Sequence, residues 1–74
     1  MGASWILVLE WPPRARALRR RVVAELVACG GEAIGPGVFR VPDGAASRQR
    51  LEALLDDIRA ARGAGLLARV TGGS

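Results

Sequence analysis

Trp5-Ile6-Leu7-Val8-Leu9-Glu10-Trp11-Pro12 is the stretch that decides the fold. Read as a strand from Ser4 to Trp11, it is apolar on both faces. Side chains alternate across a strand, so Trp5, Leu7, Leu9 and Trp11 face one way and Ile6, Val8 and Glu10 the other. Pro12-Pro13 ends the strand, because proline has no N–H to donate to a ladder. The chain has 74 residues, enough for one domain over 1–74 with one modest core. Two helices can cover only one face of so small a sheet. The second apolar face is left for a partner, and the chain reads as a binding or assembly module.

Beyond the prolines, the spacing predicts a helix from Arg14 to Cys29. Leu18, Val22, Leu26 and Cys29 form one apolar stripe, which Ala15, Val23 and Val27 extend or widen. Arg14, Arg16, Arg19, Arg20 and Arg21 load its N-terminal half. Positive charge there opposes the helix dipole, and only Glu25 offsets it within the helix. Gly30-Gly31 end the helix. Glu32 to Ile34 and Val38 to Val41 are expected as short strands, with Gly35-Pro36-Gly37 as a three-residue hairpin loop. Pro42-Asp43-Gly44 makes a turn.

Ser47 is the expected N-cap of a second helix running to about Arg62. Leu51, Leu54, Leu55, Ile58 and Ala61 give the clearest helical pattern in the chain. Gly63 and Gly65 stop it. Leu66 to Val70 is the last strand, followed by a frayed tail, Thr71-Gly72-Gly73-Ser74. The order β-α-β-β-α-β predicts an α+β, ferredoxin-like fold, a four-stranded antiparallel sheet with two helices on one face. Its core is expected to hold Leu18, Val22, Leu26, Phe39, Val41, Leu51, Leu54, Leu55 and Ile58.

The open face of the sheet is the expected contact surface of a homodimer. Ile6 and Val8 supply its apolar part. Arg40 and Arg69 are expected there beside Glu10, because charges on neighbouring strands pair across a sheet. The opposite assignment would bury Glu10.

The net charge is +4, from eleven arginines, no lysine and seven acids. An Arg-only basic set beside abundant Ala, Gly, Leu and Val reads first as coding bias. The alternative is a nucleic-acid-binding subunit that uses the Arg14–Arg21 helix. Binding of that kind is expected to be weak, sequence-independent and electrostatic. Other chemistry is thin. The chain contains no histidine, which excludes His-based acid–base work and His metal ligands. A lone Cys29 can form neither an intramolecular disulfide nor a thiolate metal site. Asp56-Asp57, the only carboxylate pair, diverge by about 100° on a helix. The glycines match no phosphate loop, and no base stands to activate a serine. No catalytic residue, metal site or cofactor is expected. No signal-peptide pattern and no membrane span are apparent, so a cytoplasmic protein is expected.

The chain resembles the N-terminal domain of the chromate-resistance regulator ChrB family. The likeness rests on the opening Trp5–Trp11 strand closed by Pro12, the Arg-rich helix, the Gly-bounded short strand, Gly37-Val38-Phe39-Arg40-Val41-Pro42, and the Leu-periodic helix leading to Leu66-Leu67-Ala68-Arg69-Val70. The Gly37–Pro42 segment is similar to the family's strand of Gly-Val, an aromatic residue and a proline. The plan also resembles the wider ferredoxin-like superfamily of the small CRISPR-adaptation subunit and the phenylacetate-repressor C-terminal domain. The former carry an Asp at the end of the first strand as a proposed metal ligand. Here Trp11 or Pro12 stands in that place, and Glu10 is one residue off, on the opposite face. A metal-dependent nuclease using Glu10 is therefore the third and weakest expectation. The resemblance implies a homodimer with a regulatory or assembly role. ChrB proteins carry a further C-terminal domain, which is expected to be absent here.

Overall fold

The opening strand lies at the centre of the sheet. The computed structural model describes residues 3–44 and 48–71. Its elements are β1 (Ala3–Glu10), α1 (Arg16–Ala28), β2 (Glu32–Gly35), β3 (Val38–Pro42), α2 (Arg48–Ala60) and β4 (Ala64–Thr71). The four strands run in the order β2-β3-β1-β4, with each adjacent pair antiparallel. Both helices supply buried residues to the core on one side of this sheet. This is the ferredoxin-like α+β arrangement.

The core follows from two periodicities that meet. Leu7 and Leu9 of β1, with Phe39 and Val41 of β3, point under the helices and are buried. Val22 and Leu26 come down from α1, and Leu51, Leu54, Leu55 and Ile58 from α2. Trp5, Trp11, Leu18, Val23, Cys29 and Leu67 pack around them, partly buried. Val27, expected to widen the α1 stripe, is 60% exposed. No polar side chain is fully buried among the described residues.

Helix ends are settled by backbone geometry. Past α1, Gly30 has φ +80°, its N–H donates to Val27 O, and Gly31 N–H donates to Leu26 O. Those two bonds close a Schellman cap. α2 ends the same way, with Arg62 N–H donating to Arg59 O and Gly63 N–H to Ile58 O. There the left-handed position, φ +72°, belongs to Arg62 and not to a glycine. Gly63 is needed for a different reason. A Cβ on it would stand 2.6 Å from the Glu10 carbonyl oxygen and 2.8 Å from Pro12 Cδ. The expected N-cap Ser47 and the tail residues Gly72–Ser74 lie outside the described residues.

Most boundaries differ from the expectation by a residue or two, β1 ending at Glu10, β3 at Pro42 and α2 at Ala60, and three further differences have a structural reason. β4 begins at Ala64 and is eight residues long, since it pairs along the whole of β1. Gly35 joins β2, so the hairpin turn shrinks to Pro36-Gly37. Gly37 has φ +70°, the value a type II turn requires after a proline. Finally, α1 starts at Arg16, with Ala15 as an N-cap that offers no side-chain bond and Arg14 at φ +57°.

Candidate interaction surfaces

The register of the sheet sorts the predicted contact residues. Ile6 stands opposite Arg40 on β3 and Ala68 on β4. Val8 stands opposite Val38 and Leu66, and Ser4 opposite Val70. Residues directly opposite share a face. The open face therefore carries Ile6, Val8, Glu10, Val38, Arg40, Leu66, Ala68 and Val70. Val8 is 45% exposed, Val70 47% and Leu66 68%. Glu32, opposite Arg40, shares this face, and Ile34, at the register shift between Ala33 and Gly35, is 53% exposed.

Arg69 is not on this face. It stands opposite Trp5 on the helix side, with its guanidinium 5.9 Å from the Trp5 ring centroid. Its Nη2 donates to Asp43 Oδ2 at 2.9 Å. An arginine is tolerated there because β4 is an edge strand, so a long apolar stem can cross the indole and leave its head in water. The expected neighbourhood of Glu10 changes with it. Arg40 pairs with Glu32 across β2 and β3. Glu10 sits opposite Ala64 and has no ion pair among the described residues. The open face is thus more apolar than the charge pattern implied. Leu66 and Val70 are the residues that sequence reasoning missed. The usable signal was Leu67, which completes a Leu7–Leu67 pair on the core side and fixes the phase of the strand.

The arginine cluster divides. Arg21 Nη2 donates to Asp57 Oδ2 at 3.0 Å and ties α1 to α2. Arg19 lies over Trp11, 5.6 Å from the ring centroid. Arg14, Arg16 and Arg19 border a hollow floored by Trp11 and Pro12, and Arg16, Arg19 and Arg20 border a second one beside Val23. None of Arg14, Arg16, Arg19 and Arg20 has a carboxylate partner among the described residues.

A third surface is a groove between α2 and β4. Arg48, Glu52, Leu55 and Arg59 form its helical wall, and Trp5, Leu66, Leu67 and Arg69 the other. The Trp5 indole N–H is buried and has no acceptor among the described residues. Among those residues no three of His, Cys, Asp and Glu gather where they could hold a metal ion. No described helix is long and apolar enough to cross a membrane. Comparison with protein-family models, curated proteins and solved structures finds no significant match.

Proposed function

We propose that this domain is a non-catalytic assembly module that acts as a homodimer through the open face of its sheet. The observation that carries the reading is the contiguous set Val8, Leu66 and Val70, exposed beside a partly buried Ile6 on the face that neither helix covers. Water contact with that set is unfavourable by about 25 cal/mol for each Å² left uncovered. A second copy supplies a matching surface, because a two-fold contact places the same patch on both partners. The Arg40–Glu32 pair and Glu10 then frame the apolar strip with polar groups, as the rim of an interface requires. A regulatory role accords with the resemblance of the Trp5–Pro12 and Gly37–Pro42 stretches to the N-terminal domain of the ChrB family. Cys29, a free thiol, suits a reducing cytoplasm.

Light scattering over a concentration series tests the dimer. The chain should elute as a dimer at micromolar concentration, and Val8→Glu with Leu66→Glu should reduce it to a monomer. A dimer that persists in this variant would place the contact elsewhere.

A second reading, a nucleic-acid-binding subunit, is favoured by one observation. Arg14, Arg16, Arg19 and Arg20 lack acidic partners among the described residues, and the first three border the hollow that Trp11 floors. Salt-dependent binding of duplex or single-stranded probes distinguishes this reading from the first.

A further inference from the structure

Among the described residues the long free edge of the sheet is β4, eight residues from Ala64 to Thr71, paired only with β1. The direction of its backbone groups can be worked out. Leu9 N–H donates to Gly37 O, toward the β3 side of β1. Backbone groups alternate along a strand, so Ser4, Ile6, Val8 and Glu10 turn theirs toward β4. Their partners Val70, Ala68, Leu66 and Ala64 turn inward to meet them. Gly65, Leu67 and Arg69 are then left with N–H and C=O directed away from the sheet. An independent contact agrees with this phase: Arg59 Nη2 donates to Gly65 O at 2.8 Å from outside the strand.

The groove described above runs beside this edge. Leu55, Leu67 and Trp5 make it partly apolar, and three guanidiniums border it, those of Arg48, Arg59 and Arg69. Each guanidinium carries five N–H donors and no acceptor. Arg48 engages Glu52 through Nε, and Arg69 engages Asp43 through Nη2. Neither has another carboxylate partner among the described residues; Asp43 and Asp56 brace Arg69 and Arg59 without lining the groove, and Glu52, held by Arg48, is the acidic residue in its lining. Trp5, whose buried N–H has no acceptor among the described residues, belongs to the same wall.

We propose that β4 receives an extended acidic peptide segment of a partner protein as a fifth strand. The peptide backbone pairs with Leu67 and Arg69, and its carboxylates meet Arg48, Arg59 and Arg69. Strand addition of this kind draws affinity from main-chain bonds and specificity from alternate side chains. A second copy fits the edge poorly, because edge-to-edge pairing would bring two sets of arginines together. The proposal is independent of the open-face dimer, since it uses the rim of the sheet.

The test is amide hydrogen exchange by NMR, with an acetylated, amidated heptapeptide that alternates Glu and Val. Without peptide, the Leu67 and Arg69 amides should exchange fast while those of Leu66 and Ala68 are slow. With peptide at low salt, Leu67 and Arg69 should become protected. The same peptide with Lys for Glu, or N-methylated on alternate residues, should fail to protect them. Arg48→Glu, at an exposed side chain, should weaken binding roughly three- to fivefold. Four results would overturn the proposal: no protection by the acidic peptide, equal protection by the Lys peptide, protection that rises with protein concentration alone, or protection by a single-stranded oligonucleotide in place of the peptide.

Discussion

Truncating Leu55 and refilling the space from Gly65 probes how α2 seats on β4. Leu55 is 1% exposed. A Cβ built on Gly65 would lie 2.6 Å from Leu55 Cδ2 and 3.3 Å from Leu9 Cδ2. The two residues therefore compete for one volume. Leu55→Ala removes three buried carbon groups, about 2.4 kcal/mol of transfer free energy at about 0.8 each. The unfilled cavity brings the cost to about 3–4 kcal/mol. A domain of this size has about 4–11 kcal/mol to lose, so the variant should forfeit a third or more of its stability. Gly65→Ala alone should cost about 1–2 kcal/mol, since the leucine tip must move aside. Combined, the new methyl occupies what the leucine left, and alanine is the better strand residue. The double variant should then be more stable than Leu55→Ala alone by about 1 kcal/mol. The coupling between the two sites should amount to about 2–3 kcal/mol. Urea unfolding followed by the fluorescence of Trp5 and Trp11 measures all four corners of the cycle. Protein concentration must be held constant, because dimerisation adds to apparent stability. Additivity to within about 0.5 kcal/mol would refute this packing of α2 against β4.

Other substitutions separate turn strain from cap strain and surface charge from bias. Gly37→Ala should cost more than about 2 kcal/mol by urea unfolding, because its Cβ would strike the Leu9 carbonyl oxygen and φ is +70°. Arg62→Gly should raise stability by about 0.5–1 kcal/mol, since Arg62 holds the left-handed cap position at φ +72°; no gain in thermal midpoint would contradict that. If the α1 arginines bind duplex DNA, the log–log salt slope should be near −3, for about three phosphates neutralised. Arg16→Ala with Arg20→Ala, which share one hollow, should flatten it by roughly two units. A probe titration that finds no binding at low salt would leave the cluster as a solvated helix face.

Most of the fold was legible because helix periods and turn signals divide the chain. β1 is apolar on both faces, but Glu10 marks its outer phase and Pro12-Pro13 its end, and the Leu51–Ile58 stripe permits only one seating of α2. β4 was harder. Leu66-Leu67-Ala68-Arg69-Val70 is apolar in both phases, so Arg69 became the marker for the outer face. That marker misled because an edge arginine can extend across Trp5 to water from the core side. The Arg40–Glu32 pair was likewise hidden, because it depends on the β2–β3 register and not on proximity in sequence. The C-cap of α2 shows the same limit. Two glycines follow the helix, yet a non-glycine takes the positive φ, because Gly63 is required where the chain presses against Glu10 and Pro12. The groove beside β4 had no signature in the sequence at all. Its arginines are spread over α2 and β4 and meet only once the edge strand is placed.

The central claim is that two copies meet through the open face of the sheet. Isotope-filtered NMR on a mixture of labelled and unlabelled chains tests it most directly, because only contacts between copies survive the filter. Cross-peaks should join the methyl groups of Ile6, Val8, Leu66 and Val70 in one copy to those same groups in its partner. Cross-peaks confined to helix residues such as Val27, or none at the concentration where light scattering reports a dimer, would contradict it.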